Sequence, residues 1–183
     1  YTLNFSYGSG ISVAGAGFLL NNEMDDFSSK PGFPNGYGLV GGLANAIEPG
    51  KRPLSSMTPT IVFDGQGTPV LATGSPGGST IITIVMQMVL NVLEFEMGIA
   101  EAAAAPRIHH QWLPDNIYYE TGLSVDTLNR LRDMGHIINN KPGRLGSTQS
   151  IQRIDAERLG GAADSRSQGS GAAAQGQSVK VQE

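Results

Sequence analysis

The chain has 183 residues, a formal net charge of −4 from 12 basic and 16 acidic side chains, and no cysteine. That length fits one domain with a real core. The absence of a Lys/Arg cluster argues against nucleic acid as a partner, and the lack of thiols excludes disulfides and thiolate chemistry. No signal peptide, transit segment or membrane span is expected. The chain opens on Tyr1-Thr2-Leu3-Asn4-Phe5 without an initiator Met, as a processed or truncated chain would.

Tyr1 to Phe5 alternates and predicts a strand. Gly8-Ser9-Gly10 marks a turn, and Ile11 to Leu20 predicts a second strand, making a hairpin. The cluster Asn21-Asn22-Glu23-Met24-Asp25-Asp26 has two readings: Asx turns, or acceptors for a ligand ammonium group. Pro31 to Pro53 carries Pro-Gly, Pro-Asn-Gly and Gly-Gly signals with almost no periodicity, so it reads as a long loop of the lid or binding kind. Tyr37, between two glycines, is either a plain surface tyrosine or a mobile gate. Ser55-Ser56 is either a turn or a pair of hydroxyl donors for a carboxylate.

Thr60–Phe63 and Thr68–Thr73 predict a second hairpin around Asp64-Gly65-Gln66-Gly67, and its second strand leads into Gly74-Ser75-Pro76-Gly77-Gly78-Ser79-Thr80. Ile81 to Phe95 is apolar on nearly every face, as a fully buried helix would be, with Ser79 or Thr80 as its cap. The glycine loop is either an ordinary loop capping a core helix or an oxyanion hole built from free helix-start amides. Beyond it, Met97-Gly98-Ile99-Ala100-Glu101 and the four alanines that follow predict a short helix stopped by Pro106. His109-His110 reads as structural rather than metal-binding, because neighbours on a strand point opposite ways and no zinc set is complete. Ile117–Glu120 is a short strand. Ser124 to Met134 is a surface helix capped by Ser124 and stopped by Gly135, with Asp126 in its first turn and Leu128, Leu131 and Met134 on one face. His136–Asn139, Ser147–Ile154 and Leu159–Ala163 predict strands, with Asp155-Ala156-Glu157-Arg158 as the turn between the last two. After about Asp164 the composition turns to Ser, Gly, Ala and Gln, so residues 167–183 are expected to be a mobile or extended tail behind a single domain, 1–166.

Strands, a lid-like loop and segregated helices indicate an α+β layered domain. Leu20-Asn21-Asn22-Glu23-Met24-Asp25-Asp26-Phe27, Lys51-Arg52-Pro53-Leu54-Ser55-Ser56-Met57, Gly74-Ser75-Pro76-Gly77-Gly78-Ser79, His109-His110-Gln111-Trp112-Leu113-Pro114 and Gly146-Ser147-Thr148-Gln149-Ser150 follow in series. Together they resemble the small subunit of gamma-glutamyltransferase, or glutathione hydrolase, over residues 1 to about 166. The resemblance implies an N-terminal-nucleophile hydrolase, a four-layer αββα sandwich. It further implies a self-cleaving precursor, a large-subunit partner, glutathione and other gamma-glutamyl amides as substrates, and a periplasmic or secreted location. No metal or organic cofactor is implied.

By this resemblance Gly77 and Gly78 supply the oxyanion hole. Ser55 and Ser56 hold the substrate α-carboxylate, and Asn4, Glu23 and Asp26 surround its amino and carboxylate ends. Thr2 hydrogen-bonds the nucleophile, and Tyr37 belongs to the lid. The nucleophilic Thr itself lies upstream of the residue matching Tyr1. Ser165 stands where the family often has Pro. Three readings follow: a gamma-glutamyl hydrolase and transferase acting with its large subunit, a cephalosporin acylase or poly-gamma-glutamate depolymerase of the same family, or a non-catalytic module if no Thr opens the upstream strand.

Overall fold

Asp64 closes the hairpin on which the main sheet is built, its Oδ1 accepting from Gln66 N at 2.9 Å and Thr68 N at 2.8 Å. In the computed structural model, which describes residues 2–173, this turn joins β1 (Thr60–Phe63) to β2 (Pro69–Gly74). Two later strands, β5 (Gln149–Arg153) and β6 (Leu159–Ala163), extend the sheet in the order β1-β2-β5-β6, antiparallel throughout. Asp155 turns the chain between them, accepting from Glu157 N and Arg158 N.

The period of two decides what each face meets. Leu71 and, less deeply, Val62 and Ala162 pack on Met88 and Val92 of α1 (Ile81–Leu93) and on Ile99, Ala102 and Ala103 of α2 (Ile99–Ala104). Each large apolar side chain so buried contributes about 1.5–3 kcal/mol. The register Ile61↔Ala72↔Ile151↔Gly161 points the opposite set away from the helices. There Ile61, Phe63, Ile151 and Leu159 lie half or more exposed. The arrangement is α+β, with helices on one face of an antiparallel sheet.

A smaller unit follows. β3 (Ile108–His109) pairs with β4 (Tyr118–Tyr119), and α3 (Val125–Asp133) packs Leu128 against Ile117 and Ile138. Ser124 caps α3 as expected, accepting from Thr127 N, and Gly135 follows at φ 93°.

Several expectations are corrected. Thr2 to Phe5 forms no strand, and Tyr1 lies outside the described residues. Asn22 instead holds this segment in a turn, accepting from Phe5 N and donating to Gly8 O. Ile11–Leu20 keeps only the bridge Ser12↔Leu19, and His136–Asn139 only Ile117↔Ile138. Short alternating runs make ladders only when a partner strand lies beside them. α1 is buried on one side alone: Ile81, Ile84, Val85, Met88 and Val92 are buried, Met88 and Val92 against the sheet, while Ile82, Met86, Leu90 and Leu93 are exposed. Neither Ser79 nor Thr80 caps it, because Thr80 Oγ1 donates back to Gly77 O at 2.8 Å. Met134 is exposed as well. In the expected tail, Ser167 N donates to Asp164 O and Ser170 N to Ser167 O, and residues 174–183 lie outside the described residues.

One buried polar cluster joins both units. Arg107 Nη2 meets Asp164 Oδ2 at 2.7 Å, with both side chains almost wholly buried. Asp164 Oδ2 also accepts from Thr148 N at 2.7 Å, and Arg166 pairs with Asp164 and Glu120. Glu120 Oε1 in turn accepts from Leu145 N, and Arg107 Nη1 donates to Leu145 O. Burial opposes the charge on Asp164, yet the amides of Thr148 and Arg166 together with Arg107 hold its carboxyl well below the usual 3.8. Breaking such a pair from one side leaves a buried, uncompensated charge, so Asp164→Asn is expected to destabilise by about 3–5 kcal/mol, read from denaturant midpoints. The sign with pH follows from linkage: stabilisation from a depressed carboxyl is complete above its unfolded value and is lost as pH falls through the folded one. Wild type and variant should therefore converge in stability below the usual carboxylate range.

Candidate active site

β2 delivers the chain into the glycine loop. Gly77 sits at φ 148° and Gly78 at φ 56°, and the 3-10 turn Gly78–Thr80 runs directly into α1. Any side chain at either position meets a second obstacle besides backbone strain. A Cβ on Gly77 would stand 2.5 Å from Thr80 Oγ1, and one on Gly78 would stand 2.4 Å from a Tyr37 ring carbon. The first amides of a helix have no partner within it and lie at the positive end of its dipole. The loop is braced from behind by Ser75, whose Oγ donates to Pro76 O at 2.8 Å and accepts from Ser147 N at 3.1 Å.

Opposite the glycines a cavity of about 330 Å³ opens, and Thr2, Asn4, Asp26, Tyr37, Ser55 and Ser56 line it together with Gly77 and Gly78. Residues more than seventy positions apart thus share one wall-to-wall space. Tyr37 stacks on Phe5 with ring centroids 5.0 Å apart and donates its hydroxyl to Asn4 Oδ1 at 2.9 Å. Asn4 Nδ2 is buried without a hydrogen-bond partner among the described residues, which leaves a donor free for a ligand oxygen. Burial, with Glu23 and Asp25 adding repulsion, pushes the Asp26 carboxyl above its usual 3.8. Burial, then Asp26 and Asp25, likewise raises Tyr37, so its phenol stays neutral and can donate. Glu23 is not among the lining residues. It lies on the same 3-10 turn, Glu23–Asp26, and acts on the cavity through its charge.

Three side chains that sequence reasoning passed over set these walls. Asn45 Nδ2 donates to Asp26 O at 2.7 Å and its Oδ1 accepts from Leu54 N at 3.0 Å, fixing Asp26 against the segment that carries Ser55 and Ser56. Asn35 Oδ1 accepts from Tyr37 N and Leu39 N. Gln111 touches Ser79 and the Tyr37 main chain. An amide in a loop without periodicity leaves no sequence signal, although Gln111 stands inside a stretch noticed for its histidines. Those histidines diverge: His109 is buried against Thr83 and Gln111, while His110 reaches out to Asp115. Among the described residues no group of three His, Cys, Asp or Glu is placed to hold a metal ion.

The fold defines the class. The chain superposes with a TM-score of 0.83 on a crystal structure of the Helicobacter pylori gamma-glutamyltranspeptidase T380A mutant, at 53% identity and covering 91% of each chain. That is the α+β fold of the N-terminal-nucleophile hydrolases. Within the class, a family model described as gamma-glutamyltranspeptidase matches residues 1–174, and the chain belongs to that family. It is 56% identical over 167 residues to the glutathione hydrolase proenzyme of Escherichia coli K12, and 49% identical over 175 residues to that of Pseudomonas aeruginosa. Those matches take in 91% and 93% of this chain but only 28% and 31% of the two relatives.

Proposed function

We propose that this chain is the small-subunit part of a gamma-glutamyl hydrolase and transferase that cleaves glutathione and related gamma-glutamyl amides. The observation that carries the reading is the shared cavity, whose wall Gly77 and Gly78 at a helix start form together with Ser55, Ser56 and Asp26. A gamma-glutamyl head is a zwitterion and needs acceptors at its ammonium and donors at its carboxylate. Asp26 serves the ammonium, and Ser55 and Ser56 serve the α-carboxylate. Asn4 Nδ2 adds a further donor.

The nucleophile in this reading is a threonine N-terminal to Tyr1, activated by its own α-amine. Its hydroxyl adds to the γ-carbonyl and gives its proton to that amine. The Gly77 and Gly78 amides stabilise the tetrahedral oxygen, each donor worth about 2.7–4 kcal/mol. The C–N bond then breaks, the leaving amine takes the proton, and a gamma-glutamyl ester remains. Water or an acceptor amine attacks the ester carbonyl and releases the hydroxyl. Thr2 supports the nucleophile from the cavity wall.

The partner is a large subunit from the same precursor. Supporting this are the open apolar sheet face with its trough of about 980 Å³ and the small fraction of each relative that the chain spans. Among the described residues no helix is long and apolar enough to cross a membrane. We place the enzyme in the periplasm or outside the cell.

The test is expression of the complete gene product and assay with a gamma-glutamyl anilide beside cephalosporin and poly-gamma-glutamate donors. Anilide release by the processed two-subunit protein is expected. A processed protein that leaves the anilide intact but cleaves another donor overturns the gamma-glutamyl assignment.

A further inference from the structure

We propose that Gln111 is a positioning residue that ties the loop carrying Tyr37 to the oxyanion loop, so that the two walls of the cavity are held as one unit. Its side-chain amide reaches four groups. Nε2 donates to Leu113 O at 3.1 Å and to Tyr37 O at 3.4 Å. Oε1 accepts from Ser79 Oγ at 2.9 Å and stands 3.0 Å from His109 Nε2. The orientation of the amide follows from chemistry: backbone carbonyls only accept, so the NH2 faces them and the oxygen faces Ser79 and His109.

That orientation sets the histidine in turn. Oε1 cannot donate, so the proton of this bond belongs to His109 Nε2. In the neutral ring Nδ1 is then an acceptor, and Thr83 Oγ1 lies 2.8 Å from it. The single Thr83 hydroxyl proton is shared between that nitrogen and Thr80 O, 3.0 Å away at the foot of the glycine loop. Behind this chain, Gln87 grips Ile108 through both atoms of its amide, accepting from Ile108 N at 3.0 Å and donating to Ile108 O at 2.8 Å. β3 is therefore locked onto α1, and the residues leaving β3 carry Gln111 to a fixed place between the two loops.

The geometry is selective because the tied atoms are neighbours of the reacting ones. Ser79 follows Gly78, and the Tyr37 ring occupies the space over Gly78 that a Cβ would fill. Moving the Tyr37 main chain moves the cover of that glycine. The buried histidine and the glutamine of the His-His-Gln-Trp stretch thereby acquire one task, alignment of the cover with the loop beneath it. The inference rests on the gamma-glutamyl reading of the cavity.

Two variants of the complete enzyme separate the halves of the amide. Gln111→Glu keeps acceptors for Ser79 and His109 but turns oxygen toward Tyr37 O and Leu113 O. Gln111→Leu keeps the volume and removes both sets. For Gln111→Glu a rise in KM of about tenfold is expected, the net worth of one to two hydrogen bonds, with kcat within about twofold. Limited proteolysis should also cut faster within residues 31–53. Gln111→Leu should show the same KM and a lower kcat as well. Wild-type KM and wild-type loop cleavage in Gln111→Glu overturn the proposal. Equal falls of kcat in both variants, matched by equal falls in unfolding temperature, also overturn it, since they mark a general loss of structure. If the wild-type enzyme leaves the anilide intact while Gln111→Glu still speeds loop cleavage, the functional reading fails and the tether stands.

Discussion

On the proposed reading, replacing Gly78 with alanine in the complete enzyme is expected to lower kcat/KM for a gamma-glutamyl anilide by about a hundredfold to a thousandfold, the range for displacing one oxyanion donor. The new methyl enters the Tyr37 ring and forces a side chain into a left-handed backbone conformation. The loop or the ring must shift, and either shift moves the amide from the oxygen it serves in the proposed reading. The Gly77→Ala change meets Thr80 Oγ1 instead, so the two variants differ in their dependence on Tyr37. In a Tyr37→Ala background the clash at Gly78 disappears and only the backbone strain remains. A double-mutant cycle on kcat/KM should therefore show strong coupling between positions 37 and 78 and little between 37 and 77. Equal coupling at both glycines would contradict the arrangement described.

Asp26→Asn is the second large effect. It leaves the shape of the cavity alone and removes the one lining carboxylate among the described residues. Truncating one member of a partly desolvated ion pair typically costs 2 to 5 kcal/mol, so kcat/KM should fall on the order of a hundredfold, carried mainly by KM. The pH profile supplies a second check. Burial and the neighbouring acids raise the Asp26 carboxyl above 3.8. Substrate affinity in the wild type should decline as pH falls through that raised value, because protonation removes the ammonium's partner. In Asp26→Asn that acid limb should be absent, as measured by kcat/KM across the acid range.

The parts of the fold that sequence made legible are those with local causes. Alternation at Thr60–Phe63 and Leu159–Ala163, the Asp64 and Asp155 turns, and the Ser124 cap all act within a few residues, and each stands where it was read. The losses have non-local causes. Leu3 and Phe5 alternate like a strand but have no ladder beside them, and Asn22 bends them into a turn instead. α1 has apolar residues all round, yet this chain covers only one side of it. The composition of a helix shows that its faces are to be covered, not which chain covers them.

The site divides in the same way. Gly77-Gly78 or Ser55-Ser56, each alone, were compatible with an ordinary turn, and only their resemblance in series gave them a role. The fold now brings them to one cavity with Asp26, Asn4, Tyr37 and Thr2, and leaves Glu23 outside the wall. Asn45 stayed invisible because its bonds go to main-chain atoms, as do two of the four that Gln111 makes, and a backbone group has the same partner chemistry whatever residue bears it. Hydrogen bonds from a loop amide to distant main chain leave no spacing to recognise.

A crystal structure of the complete two-subunit enzyme soaked with L-glutamate tests the central claim most directly. The account predicts the ammonium within hydrogen-bond distance of Asp26, the α-carboxylate on the Ser55 and Ser56 hydroxyls, and a γ-carboxylate oxygen facing the amides of Gly77 and Gly78. Glutamate bound in any other orientation, or with its γ-carboxylate turned away from those two glycines, would contradict it.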